Sequence, residues 1–200
     1  MAPFVVNPDA VHEFKTLAAL EKWYAKHHDS APELWIKLHK KDSGLASVTN
    51  VEALDVALCW GWIDAIRKPF DDKSFLQRYT PRGKKSIWSI RNQEHVKRLT
   101  EAGQMQPAGQ AEIDRAKADG RWARAYGGSK TMEFPPDLLK AIEAEPKALA
   151  LFKTLTAQNR FALAFRVHNL KTEAGRKKKI EGFVEMLKRG ETIYPNGKGK

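Results

Sequence analysis

Residues 78–92, RYTPRGKKSIWSIRN, bring together side chains that can bind negative charge. Arginine and lysine form charge-assisted hydrogen bonds with phosphate and carboxylate oxygens, and serine and asparagine can complete such a site. Pro81 and Gly83 indicate a turn within this segment, which we call the basic loop. The sequence therefore predicts a site for an anionic ligand. Its candidate ligand-binding residues are Arg78, Arg82, Lys84, Lys85, Ser86, Trp88, Ser89 and Asn92.

A helix that is predicted to begin at Ser89 or Asn92 favours this interpretation. The first amides of a helix have no partner within it and carry a partial positive charge, so an anion is stabilised there. Tyr79 and Trp88 add flat rings on which a base or a sugar can stack. The alternative is a solvated basic loop that connects a strand to a helix, with Trp88 in the core.

CWGWID, residues 59–64, contains one candidate for acid–base chemistry. In an alternating strand Trp60, Trp62 and Asp64 share one face, which places the Asp64 carboxylate beside aromatic surface. A carboxylate with a raised pKa in such a place can act as a general acid or base. The structural alternative is an ion pair between Asp64 and a nearby arginine. Whether the chain is an enzyme stays open on this basis.

The sequence predicts neither a metal site nor a cofactor. The six histidines and the single cysteine show neither HExxH spacing nor CxxC pairs. The motifs GxGxxG, GxxxxGK[ST] and GxSxG are absent, which argues against the commonest nucleotide-binding folds and the hydrolase nucleophile elbow. Cys59, at the end of ALDVALCW, is interpreted as a small buried hydrophobic residue.

The net charge of +11 is unevenly distributed along the chain. Residues 67–98 contain ten basic against three acidic residues, and residues 171–200 contain nine against four. Such a field attracts polyanions and phosphorylated molecules. A nucleic-acid-binding module that uses both basic patches is therefore the second hypothesis for function. The RKKK run at 176–179 is either a second phosphate-facing patch or a solvated helix face.

Hydrophobic periodicity and caps predict an α+β fold. A helix over 16–27, a strand over 33–40 with one buried side, and a capping box at TNVE (49–52) precede two further strands at 61–66 and 74–80. The TNVE helix is expected to bury Val51, Leu54 and Leu58. The rest of the chain shows only helical patterns. We therefore expect a small antiparallel-type sheet with helices in the N-terminal part and an all-helical C-terminal part.

Glycine and proline divide the chain into a predicted α+β domain (1–125), a linker (126–137) and a helical subdomain (138–195). No apolar run approaches the roughly 20 residues that span a bilayer, so no transmembrane segment is predicted. The first residues lack the features of a signal peptide, and the lone cysteine agrees with a reducing compartment. The predicted location is the cytoplasm.

Several segments resemble the bacterial YdeI/OmpD-associated family, also called bacteriocin-protection proteins. They are ELWIKLHKK, LCWGWID, RYTPRGKKSIWSIRN and LTEAGQMQPAGQAEIDRAKADGRW, followed by the helical tail LTAQNRFALAFRVHNLKTEAGRKKKIEGFVEML. The resemblance covers residues 12–190. It implies a stress-related role in protection against antimicrobial peptides and, through the family name, association with a porin. It carries over no catalytic residue.

These observations lead to one main hypothesis, in which the protein binds an anionic, phosphate-bearing ligand through the basic loop and any protective role follows from that binding. A nucleic-acid-binding module is the alternative from a different class. The third hypothesis is an enzyme acting on an anionic small molecule, with Asp64 as the acid or base beside the bound anion.

Overall fold

The computed structural model of the chain describes residues 5–128 and 131–197 and divides into two units, Met1–Ala125 and Tyr126–Lys200. We call them unit 1 and unit 2. The strands of unit 1 are β1 (Val11–His12), β2 (Leu34–His39), β3 (Trp62–Pro69) and β4 (Ser74–Pro81). Its α-helices are α1 (Leu17–His27), α2 (Asn50–Cys59), α3 (Ile90–Glu101) and α4 (Pro107–Ala118). Unit 2 contains α5 (Pro136–Glu143), α6 (Pro146–Thr154), α7 (Ala157–His168) and α8 (Glu173–Lys188).

Hydroxyl side chains mark the start of many helices. Thr16, Thr49, Ser89, Thr156 and Thr172 each accept a hydrogen bond from a backbone amide in the first turn of the helix that follows. The predicted capping box is present, because Glu52 also accepts from the Thr49 amide at 2.7 Å. These local bonds satisfy amides that lack a partner within the helix.

The sheet of unit 1 is mixed, with the strand order β1-β2-β4-β3. The predicted α+β class is confirmed, and the antiparallel part comprises β2, β4 and β3. The two-residue strand β1 adds a parallel edge. The expectation that β2 has one buried side is wrong, since Trp35 is as fully buried as its neighbours Leu34 and Ile36. Leu34 and Ile36 point to one face of the sheet and Trp35 to the other, so both faces of β2 are covered at this point.

Helix α2 lies at the centre of unit 1, where it packs against α1, α3, α4 and β3. Six of its ten residues are buried, including Leu54 and Leu58. Val51 is 46% exposed, so the expectation that it is buried is wrong. Gly109 allows the close approach of α4, because a Cβ there would lie 2.2 Å from the Cys59 carbonyl oxygen. A glycine is therefore required where α4 crosses the end of α2.

Unit 2 is helical among its described residues and has its own core. Buried apolar side chains from all four helices form this core, namely Leu138, Ile142, Ala148, Phe152, Leu163, Val167, Ile180, Phe183, Val184 and Leu187. The stripe from Ile180 to Leu187 explains the apolar spacing of α8. A bidentate ion pair between Asp137 and Arg176 joins α5 to α8 at 2.5 and 2.7 Å.

Candidate anion-binding site

The basic loop consists of the last residues of β4, a tight turn and the first residues of α3. The Arg82 amide donates to the Gly61 carbonyl at 3.0 Å, which connects the loop to the start of β3. The Ser86 amide donates to the Gly83 carbonyl at 2.9 Å, and the Gly83 amide donates to Ser86 Oγ at 3.0 Å. The turn is thus closed by reciprocal hydrogen bonds, with Lys84 and Lys85 exposed at its tip.

Three arginines hold the backbone of this turn from the protein side. Arg82 donates through Nη1 to the Ile87 carbonyl at 3.3 Å, and Arg115 of α4 donates through Nη2 to the Arg82 carbonyl at 3.2 Å. Arg121, which follows α4, donates through Nη1 to the Ser86 carbonyl at 2.8 Å. We call Arg82, Arg115, Arg121 and the neighbouring Glu112 the arginine cluster.

Two of these guanidinium groups are nearly inaccessible to solvent. Arg82 is 4% exposed and Arg121 is 5% exposed. The Arg82 guanidinium lies 3.5 Å from the centre of the Trp88 ring, and Trp88 packs against Trp122 with ring centres 4.8 Å apart. Burying cations is costly unless they are paired and hydrogen-bonded, so these two guanidinium groups need hydrogen-bond acceptors close by.

The carboxylates of the region balance the arginines only in part. Glu112 pairs with Arg115, and the Asp119 carboxylate accepts two hydrogen bonds from Arg121 Nε, at 2.7 and 2.9 Å. Burial raises the pKa of the Glu112 carboxyl, against the opposing effect of the nearby arginines. Three guanidinium groups therefore face two carboxylates, one of which binds a proton more readily than usual. The region has an excess of positive charge.

Three buried N–H donors around the cluster make no hydrogen bond to the part of the chain that the structure describes. They are Arg115 Nε, Arg121 Nη2 and Trp88 Nε1. Buried polar groups are nearly always paired, with protein, ordered water or a bound ion. All three groups are donors, so their missing partners must be acceptors. This is the chemistry that an oxyanion supplies.

The structure brings together only some of the predicted ligand-binding residues. Arg82 is a member of the arginine cluster, Ser86 and Trp88 contact it, and the exposed Lys84 and Lys85 lie beside them in the chain. Arg78 instead lies on β4, where its Nε donates to Glu33 at 2.6 Å. The fold itself thus supplies a carboxylate to Arg78.

The start of α3 also serves the fold. Ser89 is the N-cap and accepts from the Asn92 amide at 3.1 Å, so the helix begins at Ile90 and Asn92 lies inside its first turn. The alternative start at Asn92 is wrong. Asn92 is 8% exposed and Trp88 is 1% exposed, so both side chains are buried.

Asp64 does not have the surroundings that were expected for an acid or base. It is exposed on the edge strand β3, opposite Tyr79, whereas Trp62 is buried and Trp60 lies at the end of α2. The predicted common face of Trp60, Trp62 and Asp64 is wrong, because β3 begins only at Trp62. Burial, with a smaller effect of the Asp64 charge, raises the pKa of Tyr79.

Sequence reasoning missed Glu112, Arg115, Arg121 and Trp122 as members of the site. They lie 20 to 30 residues beyond the end of the basic loop in the chain. The only available signal was the segment EIDRAKADGRW (112–122), in which charged residues and a tryptophan surround a helix end at Gly120. Nothing in that segment indicates which residues it contacts.

Two cavities of unit 1 lie next to the helices. A cavity of about 550 Å³ lies between α1, α2 and α3, and its lining includes Asp55, Cys59 and Arg98. Asp55 there bridges His95 and Arg98, with both distances 2.6 Å. A second cavity, of about 560 Å³, lies between α3 and α4 and reaches Trp122. Asp64 lines neither of them.

Comparison with protein families assigns the two units separately. Residues 12–112 match the family described as Domain of unknown function (DUF8412). The chain belongs to this family. Residues 131–190 match the family described as Bacteriocin-protection, YdeI or OmpD-Associated, which confirms the expected family for this segment. The expected resemblance over residues 12–190 therefore divides between two families. No curated protein and no solved structure matches the chain.

The family description is consistent with an association with a porin. Among the helices of residues 5–128 and 131–197, none is both long and apolar enough to cross a bilayer. The same residues contain no group of three His, Cys, Asp or Glu side chains placed to hold a metal ion.

Proposed function

We propose that unit 1 binds a small anion of the phosphate type at the arginine cluster, next to the tip of the basic loop. The observation that carries the proposal is the set of three buried donors without acceptors, Arg115 Nε, Arg121 Nη2 and Trp88 Nε1. They lie in a region with more guanidinium groups than carboxylates. An oxyanion supplies several acceptor lone pairs and the missing negative charge at once.

An anion in solution can reach the cluster at Arg115, because this arginine is accessible to solvent. Its side chain is 38% exposed, whereas Arg121 and Arg82 are buried. The exposed Lys84 and Lys85 at the tip add positive charge close by, which increases the local concentration of anions. The Arg82 carbonyl already accepts from Arg115, so the loop backbone positions this guanidinium before a ligand arrives.

Glu112 competes with the anion for Arg115, because the two side chains form an ion pair. Protonation of Glu112 removes that competition, and burial has already raised the pKa of this carboxyl. Anion binding should therefore strengthen as the pH falls from 7 toward 5. Glu112→Gln imitates the protonated state and should bind anions more tightly than the wild type.

The experiment is calorimetric titration of the full chain with sulfate, which stays a dianion over this pH range, and with pyrophosphate. We expect one site per chain, tighter binding by Glu112→Gln, and loss of the pH dependence in that variant. Arg115→Gln should weaken binding by about tenfold, the effect of one charge-assisted hydrogen bond. Glu101→Gln, which changes an exposed acid on α3, is the matched control.

Nucleic acid is the alternative outcome, and the aromatic residues argue against it. Trp88 and Tyr79 are 1% and 0% exposed, so neither offers a stacking surface for a base. The protein is titrated with single-stranded DNA, duplex DNA and RNA at about 50 and about 200 mM salt. Between these two concentrations, a protein that makes extensive phosphate contacts loses about 10³-fold or more in affinity. Lys84→Ala/Lys85→Ala is compared with Lys177→Ala/Lys178→Ala, an exposed pair on α8.

Binding of sulfate that requires Arg115 but not the lysine pair of α8 supports the proposal. The alternative would be favoured if the protein binds nucleic acid with a steep salt dependence and if substitution of either lysine pair weakens that binding equally. No binding of sulfate or pyrophosphate even at low salt, with the variants folded, contradicts the proposal. A cytoplasmic location belongs to the same proposal, and any role in protection against antimicrobial peptides would follow indirectly from binding the anion.

A further inference from the structure

Unit 2 contains an apolar cavity of about 450 Å³, which lies within the range of about 300–1,000 Å³ typical of small-molecule sites. Its lining combines aromatic, aliphatic and sulfur-containing side chains with a single charged residue. The lining includes Phe134, Leu139, Phe152, Ala157, Arg160 and Phe161. A mostly apolar cavity with one charged group is the usual composition of a site for an amphipathic molecule.

Arg160 is fixed in place by the end of helix α6. Its Nη2 donates to the carbonyls of Phe152 and Lys153, at 3.3 and 3.0 Å, and so satisfies two carbonyls at that helix end. Its guanidinium also lies 4.9 Å from the centre of the Phe152 ring. Neither Nε nor Nη1 donates to a residue that the structure describes, and Arg160 is an exposed residue. Two backbone carbonyls and the Phe152 ring thus position the guanidinium, and Nε and Nη1 remain as donors for a ligand.

We propose that this cavity binds a small carboxylate with an acyl chain, such as a medium-chain fatty acid. The chain would occupy the surface formed by Phe134, Phe152 and Phe161, and Arg160 would bind the carboxylate. Charge complementarity selects this ligand, because Arg160 is the one charged residue in the lining. The inference concerns unit 2 alone and is independent of the anion site proposed for unit 1.

The test is calorimetric titration of the full chain with hexanoate, octanoate and decanoate, each below its micellar concentration. We expect one site per chain and an increase in affinity of about fourfold per added methylene until the cavity is full. Decylammonium has the same chain with the opposite charge and should bind about tenfold more weakly or not at all.

Two variants probe the two halves of the site. Arg160→Gln removes the carboxylate partner and should weaken decanoate binding by about tenfold. Because this change also affects the end of α6, Ala157→Phe provides a second variant at an exposed position on the cavity lining. It should fill part of the cavity and weaken decanoate more than hexanoate. Arg166→Gln, at an exposed position on the same helix, is the control and should leave binding unchanged.

Three results would overturn the proposal. The first is equal binding of decanoate and decylammonium, which indicates adsorption that does not depend on Arg160. The second is decanoate binding that neither Arg160→Gln nor Ala157→Phe alters in folded protein. The third is a dimer in sedimentation that both variants dissociate, since the cavity would then be covered by a second copy of the chain.

Discussion

The guanidinium of Arg82 lies 3.5 Å from the centre of the Trp88 ring, and both residues are almost fully buried. A cation–π contact of this kind contributes up to about 2 kcal/mol when it is desolvated. Two residues that the sequence suggested as ligand contacts therefore support the basic loop from within. In the proposed anion site the ring N–H of Trp88 is joined by donors of Arg115 and Arg121, which belong to a distant part of the sequence.

Arg121→Ala should destabilise unit 1. The side chain is 4% exposed and connects Ser86 to Asp119, so its removal takes away a buried charge-assisted hydrogen bond and packing. We expect the free energy of unfolding to fall by about 2–3 kcal/mol. Urea unfolding followed by tryptophan fluorescence measures this, since all six tryptophans lie within residues 23–122. Arg91→Ala, at an exposed position on α3, should change stability by less than about 0.5 kcal/mol. Equal effects of the two substitutions would contradict the structural role of Arg121.

Gly109→Ala and Gly182→Ala should have opposite effects on stability, although both glycines lie within helices. A Cβ at Gly109 would lie 2.2 Å from the Cys59 carbonyl oxygen, so α4 must move away from α2. We expect a loss of about 2 kcal/mol or more, as for other overpacked sites. A Cβ at Gly182 meets nothing within 4 Å, and alanine there should stabilise α8 by up to about 1 kcal/mol. Calorimetric unfolding of both variants checks the two signs, and a stable Gly109→Ala protein would mean that α4 packs differently.

Asp137→Asn should destabilise unit 2 in a pH-dependent manner. The hydrogen bonds from Arg176 lower the pKa of Asp137 below its ordinary value of 3.8. A carboxyl whose pKa is lowered by folding stabilises the folded state above its unfolded pKa and loses this effect as the pH falls through its folded pKa. The Asp137 side chain is 46% exposed, so solvent screening limits the expected loss at pH 7 to about 1 kcal/mol.

The difference between wild type and Asp137→Asn should stay constant from pH 7 to 5 and shrink at lower pH. Thermal unfolding across this range, monitored by circular dichroism, is the measurement. Glu143→Gln changes an exposed acid on the same helix α5 and serves as the control. A pH-independent difference for Asp137→Asn would show that the ion pair does not stabilise the unit.

Cys59 should react slowly with thiol reagents in the folded protein. Burial, together with the charges of Asp55 and Glu21, raises the pKa of this thiol to about 11 from an ordinary value of 9.0. Because the thiolate is the reactive form, the thiolate population near pH 8 should be about one hundredfold smaller than that of an ordinary cysteine. Reaction with an aromatic disulfide should accelerate up to about pH 11 and become fast at any pH in urea. Rapid reaction at pH 8 without urea would contradict the buried position of Cys59.

Element positions followed closely from local sequence patterns. Thr49 and Glu52 are close enough in the chain to form a capping box whatever the rest of the fold does. Gly103 and Gly120, both with a positive φ, follow the ends of α3 and α4, where glycine is the usual residue. The exposure of Val51 and the burial of Trp35 were not predicted correctly. Both depend on which neighbouring elements cover a given face, which periodicity within one element does not specify.

Patterns among residues close together in the sequence established the α+β class, the helix starts and an excess of positive charge over residues 67–98. Only the tertiary structure decided which of those charged side chains contact other parts of the protein. Arg78 forms an ion pair with Glu33, and Arg82 packs on Trp88. Arg115 of α4 and Arg121, just after it, donate hydrogen bonds to the backbone of the basic loop. The physical reason is that a cap or a turn needs only neighbours in the chain. The burial of a guanidinium and the identity of its partners depend on residues that become neighbours only when the sheet and helices pack together.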